Sequence, residues 1–365
     1  MKPRIPRNIL TLEPYKPGRP IEEVERELGL RNTIKVASNE NALGPSPKAI
    51  AAIEAACRNV HRYPEGGAAP LGARLAEKLG VAQDQLAFGN GSNELIELLV
   101  RVFASDRGEI VMSEDAFLVY RLVATAVGAR AIRVAARDHH HDLEAMARAL
   151  GESTRIVFVA SPNNPTGTIV RRAQWRAFLE RVPADVVVVV DQAYREFVDD
   201  PDYADALDDV GRYPNVVVLR TFSKIYGLAG LRVGYAVAPR EIADALARIR
   251  QPFNVNSLAQ AGALAALDDD EHFERSRALV REGRARWTRA LDDLGLSYVP
   301  SQANFVLVDV GDAAATTQSL LERGVIVRPM GAYGMPDKIR ITFGTTQEDA
   351  RCLNALTEVV RGERT

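Results

Sequence analysis

The sequence predicts an α/β protein, with a large domain built on a mainly parallel central sheet flanked by helices and a smaller α+β domain beside it. Three observations carry this expectation. Short β-branched runs alternate with longer segments of helical periodicity through the middle of the chain. Several of these runs are apolar without a polar alternate, as strands covered on both faces require. From about residue 260 the rhythm changes to a long Ala-, Leu- and Arg-rich helical stretch that reaches Leu294. At 365 residues the chain has the length for two such domains.

In order along the chain, Pro3, Pro6, Pro14, Pro17 and Pro20 punctuate an irregular arm ahead of a short helix over Ile21–Leu28. Gly66-Gly67-Ala68-Ala69-Pro70 reads as a flexible turn. Strands are expected at Gln85–Phe88, Glu109–Met112, Ala131–Val134, Arg155–Val159, Val186–Val190, Val216–Leu219 and Gly234–Val237. Helical spacing of apolar residues places crossovers over Asn93–Ala104 and Phe117–Val127. Beyond the long helical stretch, Tyr298–Val310 and Val325–Phe343 read as strands and Gln347–Val360 as a terminal helix. The expected division is an arm over 1–37 contributing to the small domain, a large ligand-binding domain over 38–257, and a small domain over 258–365.

A hydrophobic share of 47% with 26% charged residues is the balance of a folded soluble protein and excludes a disordered scaffold. Lys and Arg total 46 against 48 Asp and Glu, so the net charge of -2 provides no field to gather nucleic acid or anionic membrane. Any anion must therefore be held by a local site. Cys57 and Cys352 are too few for a disulfide framework or a zinc cluster, which fits a reduced, cytoplasmic compartment. MKPRIPRNIL lacks a signal-peptide core and no run reaches the roughly 18 apolar residues of a span, so the chain reads as mature and soluble.

Four segments carry groups suited to chemistry. Thr221-Phe222-Ser223-Lys224-Ile225-Tyr226-Gly227-Leu228-Ala229-Gly230-Leu231-Arg232 places one lysine among small and hydroxyl-bearing residues after a strand. Burial and a cation such as Arg232 would lower the lysine's pKa and free its amine as a nucleophile. Thr221, Ser223 and Arg232 also suit a phosphate ester, although a Ser-Lys pair taken alone is ordinarily a surface pair. Val186–Val190 leads into Asp191-Gln192-Ala193-Tyr194, putting a carboxylate where open α/β sheets place ligands. Asp191 can hold a protonated ring nitrogen, cap a helix or ligate magnesium, the last without the Gly-Lys-Ser loop of a nucleotide site. Ser161-Pro162-Asn163-Asn164-Pro165-Thr166-Gly167-Thr168 follows another strand and either presents amides from a fixed backbone or simply turns. Gly89-Asn90-Gly91-Ser92-Asn93-Glu94 joins strand to helix, as a phosphate cradle or a plain capping turn.

In combination and order these segments resemble the fold type I pyridoxal-phosphate aminotransferases. Over nearly its whole length the chain is similar to the histidinol-phosphate aminotransferase family. The closer likeness lies in Ala37-Ser38-Asn39-Glu40-Asn41 with Gly44-Pro45-Ser46-Pro47, in Arg62-Tyr63-Pro64, in Gln251-Pro252-Phe253-Asn254-Val255-Asn256 and in Gly324-Val325-Ile326-Val327-Arg328-Pro329.

The resemblance implies pyridoxal 5'-phosphate as cofactor, bonded to Lys224, which as a free amine then moves the proton between substrate and cofactor carbons. Asp191 would keep the pyridine nitrogen protonated, so that the ring accepts electrons. Asn164 and Tyr194 would bond the phenolic oxygen, and Phe117 would stack on the ring. Ser92, Asn93, Thr221, Ser223 and Arg232 would hold the phosphate, joined by Tyr63 from the partner subunit of a homodimer. Tyr15, Asn39, Arg328 and Arg340 would face the substrate, arginine being suited to carboxylate and phosphate alike. Gln192, the Glu114-Asp115 pair and Phe117 depart from the family's usual Glu, proline-containing turn and Tyr. None removes a catalytic group.

The implied reaction is transamination between histidinol phosphate or imidazole-acetol phosphate and glutamate or 2-oxoglutarate in L-histidine biosynthesis. An aromatic amino acid aminotransferase is the alternative on this scaffold, and a decarboxylase of phosphorylated amino acids a third. A non-catalytic regulator would have lost the lysine or the strand aspartate, and both are present. No metal is expected. Three consecutive side chains in His139-His140-His141-Asp142 cannot converge on one ion and read as an exposed turn. Asp268-Asp269-Asp270-Glu271 reads as a solvated helix start, and Arg275–Arg289 as a charged helix face.

Overall fold

Five consecutive buried residues, Val187–Asp191, explain why the central runs lack alternation. Val188 and Val190 point into one hydrophobic cluster and Val187 and Val189 into another, so both faces of the strand are covered. Val216 and Val218 divide from Val217 and Leu219 in the same way. The computed structural model describes residues 4–14 and 18–362, and all that follows concerns them.

The central sheet contains β1 (Leu86–Gly89), β2 (Glu109–Ser113), β3 (Arg130–Val134), β4 (Thr154–Ala160), β5 (Val187–Asp191), β6 (Val216–Thr221) and β7 (Gly234–Val237). Its spatial order is β1-β7-β6-β5-β4-β2-β3. The neighbours from β6 across to β3 pair in parallel, whereas β7 runs antiparallel to both β6 and β1. The register aligns Ala160 with Asp191, Thr221 with Gly234 and Gly234 with Gly89. The carboxyl ends of β1, β4, β5 and β6 and the amino end of β7 thus meet along one edge.

A second sheet, in the order β10-β11-β9-β8, is formed by β8 (Tyr298–Val299), β9 (Phe305–Asp309), β10 (Arg328–Pro329) and β11 (Lys338–Thr342). Ile34–Lys35 pairs in parallel with Val325–Ile326, which joins the N-terminal segment to the C-terminal third. Helix Ser257–Leu267 packs on helix Pro47–Ala56, where Gly262 leaves room for Ile53.

The expected long helical stretch is two helices, Ser257–Leu267 and Asp270–Leu294, because Asp269 caps the second by accepting the His272 N–H. The expected Tyr298–Val310 strand is the antiparallel pair β8 and β9, and the Val325–Phe343 stretch breaks at Val327 and after Pro329. Helices Pro47–Ala56, Ala69–Leu79, Arg172–Leu179, Arg240–Ile249 and Ala313–Glu322 were not read from the sequence. Ala69 and Pro70, expected in a turn, instead form the first turn of Ala69–Leu79, with Pro where a helix tolerates it.

Trp287 on the long helix is fully buried and its indole N–H donates to Asp349 of the terminal helix Thr346–Arg361 at 2.8 Å. Arg286 pairs with the same carboxylate at 2.6 Å, and Arg284 with Asp199 at 2.8 Å, so the charged face around Arg275–Arg289 also docks the helix. Trp287→Phe is expected to lower stability by about 1–3 kcal/mol through the lost buried hydrogen bond, measured by urea unfolding followed by circular dichroism.

Candidate active site

A cavity of about 270 Å³ opens at the shared strand edge, between the two sheets. One end is built for an anion. β1 stops at Gly89, and helix Ser92–Phe103 begins without a side-chain cap, so the N–H groups at Ser92 and Asn93 face the cavity end of the helix dipole. Gly91 has φ +79°, and a Cβ there would lie 2.3 Å from the Arg232 guanidinium, so only glycine lets the arginine close over the loop. Arg232 donates to Ser223 Oγ at 3.4 Å and to the Ala229 carbonyl at 3.1 Å. Thr221 Oγ1 accepts the Ser223 N–H at 3.1 Å, which orders the turn after β6.

Lys224 follows in that turn. Its Nζ donates to the Ser38 carbonyl at 3.2 Å and stands 5.6 Å over the Tyr194 ring. Burial, then the charges of Arg340 and Arg232, bring its pKa down to about 8 against the pull of Glu40 and Asp191. The sequence reading expected burial and Arg232; Arg340, from the other sheet, outweighs Arg232.

Asp191 ends β5 inside the cavity. Burial pushes its pKa up, opposed by the Tyr120 hydroxyl donating to Oδ2 at 2.7 Å, the Ala193 N–H at 3.1 Å and the charge of Lys224. It caps no helix. Among the described residues no three His, Cys, Asp or Glu side chains gather as metal ligands. Tyr194 OH accepts from Asn39 Nδ2 at 2.9 Å, and burial pushes the phenol up to about 12, so it keeps its proton. Phe117 lines the cavity edge-on to Tyr120, with ring centres 5.7 Å apart.

The opposite wall comes from the four-stranded sheet. Arg328 on β10 lies directly across from Arg340 on β11, and both line the cavity. Arg340 is 7% exposed, donates to Asn164 Oδ1 and to the Ala37 carbonyl, and lies over the Phe305 ring. Asn39, with its N–H on Thr342 Oγ1 at 2.9 Å, links this sheet to Tyr194.

The cavity therefore gathers every expected site residue except two. Tyr63 is 82% exposed and stacks on Phe253 outside the cavity. Tyr15 lies outside the described residues. Tyr120 and Tyr333 line the cavity without having been singled out. Tyr120 was findable, since it stands three residues after Phe117 on one helix face; Tyr333, in the short turn Gly331–Tyr333, had no periodicity to mark it. The histidine run is the turn expected, closed by the Arg137–His140 bridge, but only His140 is exposed: His139 pairs with Asp115 at 3.0 Å and His141 Nε2 meets the Ala160 carbonyl at 2.9 Å.

The family model for aminotransferase class I and II matches residues 31–356. The chain belongs to this family. It is 49% identical over 361 residues to the histidinol-phosphate aminotransferase of Anaeromyxobacter sp. (strain Fw109-5), covering 98% of this chain and 99% of that protein. It is 50% identical to histidinol-phosphate aminotransferase 1 of Cupriavidus pinatubonensis, covering 98% and 96%. The crystal structure of histidinol-phosphate aminotransferase from Sinorhizobium meliloti in complex with pyridoxal-5'-phosphate superposes with a TM-score of 0.90 at 29% identity, over 100% of this chain and 99% of that one.

The aminotransferase site fits such a cofactor. The uncapped helix end and Arg232 suit its phosphate, the depressed Lys224 amine suits its aldehyde, and buried Asp191 suits a ring N–H. If Lys224 is the amine that meets the aldehyde, capture of pyridoxal 5'-phosphate by the apo-enzyme should accelerate as pH rises through about 8, where that amine loses its proton. Arg340→Ala removes a cation that holds the amine down, so the inflection should move to higher pH; stopped-flow absorbance across a pH series measures both.

Proposed function

We propose that this aminotransferase transfers the amino group of histidinol phosphate to 2-oxoglutarate, giving imidazole-acetol phosphate and glutamate, in cytoplasmic L-histidine biosynthesis. The carrying observation is the pair Arg328 and Arg340, set directly opposite one another on β10 and β11 in the cavity that also holds Arg232. Planar guanidinium groups accept phosphate and carboxylate alike, as a site must that takes a phosphate monoester in one half-reaction and a dicarboxylate in the other.

Pyridoxal 5'-phosphate, when bound, supplies an aldehyde that takes up the amino group and a ring that accepts the electron pair left on the substrate carbon. In this reading the chain's own residues do the rest. Ser92, Asn93, Thr221, Ser223 and Arg232 hold the phosphate. Asp191, with Tyr120 occupying one oxygen, holds a proton at the ring nitrogen. The Tyr194 hydroxyl already accepts from Asn39, so its own hydrogen is available to the phenolic oxygen, beside Asn164. Phe117 covers the ring face. Lys224, its pKa lowered to about 8, takes and returns a proton at Nζ.

The chain divides at 37/38 and 257/258 in this proposal, the second boundary being a seam, since helix Ser257–Leu267 packs back on Pro47–Ala56. The working unit is a homodimer in which Tyr63 reaches the partner's phosphate; its 82% exposure and its stacking on Phe253 at 4.7 Å support this.

Borohydride reduction of the holoenzyme followed by peptide mapping should mark Lys224, and a mark elsewhere defeats the assignment. Histidinol phosphate should convert the cofactor absorbance to that of the aminated form at lower concentration than phenylalanine does; the reverse order favours the aromatic alternative. Mixing Lys224→Ala with Tyr63→Ala protein should recover activity that neither has alone, because one of the two hybrid sites then holds both native residues. Mixtures no more active than their parts refute the shared site.

A further inference from the structure

Immediately after Asp191 and immediately before Thr221 stand two buried polar side chains that the proposed chemistry does not use. Gln192 is 0% and Arg220 4% exposed. Arg220 Nε and Nη2 both donate to Gln192 Oε1, at 3.2 and 2.9 Å, and Nη2 also meets the Asp205 carboxylate at 2.8 Å. A guanidinium can only donate, so the amide oxygen must face it and the amide NH2 must face away. That NH2 donates to the Tyr203 hydroxyl at 2.9 Å. The phenol oxygen is thereby an acceptor, and its single hydrogen goes to the Ser161 carbonyl at 2.7 Å. Burial holds the Tyr203 pKa far above the usual phenol range, so this hydrogen stays in place.

The result is a one-way series of donors, from Arg220 to Gln192 to Tyr203 to Ser161, whose direction is imposed by the guanidinium at its head. It fastens three strand ends that face the cavity. Ser161 follows Ala160 at the end of β4, opens the loop that carries Asn164, and donates its N–H to the Asp191 carbonyl at 2.9 Å. Gln192 continues from β5 and Arg220 lies in β6. The Ser161–Thr168 loop has its own internal bonds, Gly167 N–H to Asn163 O at 2.7 Å and Asn163 N–H to Thr168 O at 2.8 Å, so it moves as a unit.

We propose that Gln192 is a positioning residue of the cofactor site, whose amide lets Tyr203 fasten the loop bearing Asn164 against Asp191 and Thr221. The proposal rests on the reading of the cavity as the pyridoxal-phosphate site. A carboxylate at position 192 would pair with Arg220 equally well but has no hydrogen for the phenol. Tyr203 would then face two acceptors with one hydrogen, and either the carboxylate or the Ser161 carbonyl would lose its donor.

The test is a double-mutant cycle on the full chain. Dissociation constants for pyridoxal 5'-phosphate are measured by absorbance titration of apo wild type, Q192E, Y203F and the double variant, together with amide exchange at Asn163 and Gly167. Q192E is expected to weaken cofactor binding about tenfold and to speed exchange in the loop when Tyr203 is present, the size of one frustrated buried hydrogen bond. In the Y203F background the conflict is gone, and the same substitution should cost about threefold or less. Equal losses in the two backgrounds, or unaltered affinity in Q192E, overturn the proposal. Failure of wild-type protein to bind pyridoxal 5'-phosphate overturns the reading of the cavity instead. If Q192E does not fold, Y203F alone decides: exchange at Asn163 and Gly167 must rise while Val157 and Phe158 in β4 stay protected, and unchanged loop exchange refutes the role.

Discussion

A carboxylate at the end of a strand buried on both faces is the constraint on which the rest of this structure turns. Asp191 follows four buried valines, so the two clusters that stabilise β5 also remove water from its acidic end. The Tyr120 hydroxyl, the Ala193 N–H and the charge of Lys224 do not repay that desolvation, and the group stays more basic than an ordinary aspartate. Lys224, in the same dry cavity, is displaced the other way. Burial thus favours the neutral form of both, so the pair is not a settled salt bridge that an incoming ligand must break. In the proposed reading a ring N–H would meet the carboxylate and an aldehyde the amine.

The mixed direction of the sheet serves the same end. A purely parallel sheet would put the amino end of β7 at the far edge, but its antiparallel course sets Gly234 beside Thr221 and Gly89. A Cβ at Gly234 would lie 2.6 Å from the Ser92 nitrogen, so the start of helix Ser92–Phe103 sits against bare backbone. That end of the cavity therefore combines main chain with the side chains of Thr221, Ser223 and Arg232. The opposite end carries two long side chains, Arg328 and Arg340.

Much of this was legible in the sequence, for physical reasons that differ by residue. Strands buried on both faces announce themselves as valine runs, and residues that follow such runs, Asp191 and Lys224 among them, inherit their place from the topology. The reading stopped short where a polar residue lies inside the buried region. β6 was expected to end at Leu219, yet it continues through Arg220 and Thr221, both buried, because Gln192 and Asp205 satisfy the guanidinium. Partners that distant in sequence leave no periodic trace. Tyr120 shows the difference: helical spacing marks its place beside Phe117, but its bond to Asp191, 71 positions away, does not show in the sequence. Helices such as Pro47–Ala56, rich in alanine and packed on another alanine-rich helix, lack the contrast between faces that periodicity needs.

The parallel pairing of Ile34–Lys35 with Val325–Ile326 sets the order in which the molecule can be completed. As the chain leaves the ribosome, the seven strands of the central sheet are all available once residue 237 has emerged, and their contacts close comparatively short loops. The segment from Ile34 to Asn39 is made long before them but must wait for its partners, because Val36 bonds Ile326 and Thr342 and Asn39 bonds Thr342. Asn39 is also the residue that holds the Tyr194 hydroxyl. A nascent chain can therefore possess Asp191, Lys224 and the turn before helix Ser92–Phe103 while the contact between Asn39 and the Tyr194 hydroxyl is still unmade. The first synthesised part of the site is the last to be locked, and only a chain finished through β11 can lock it.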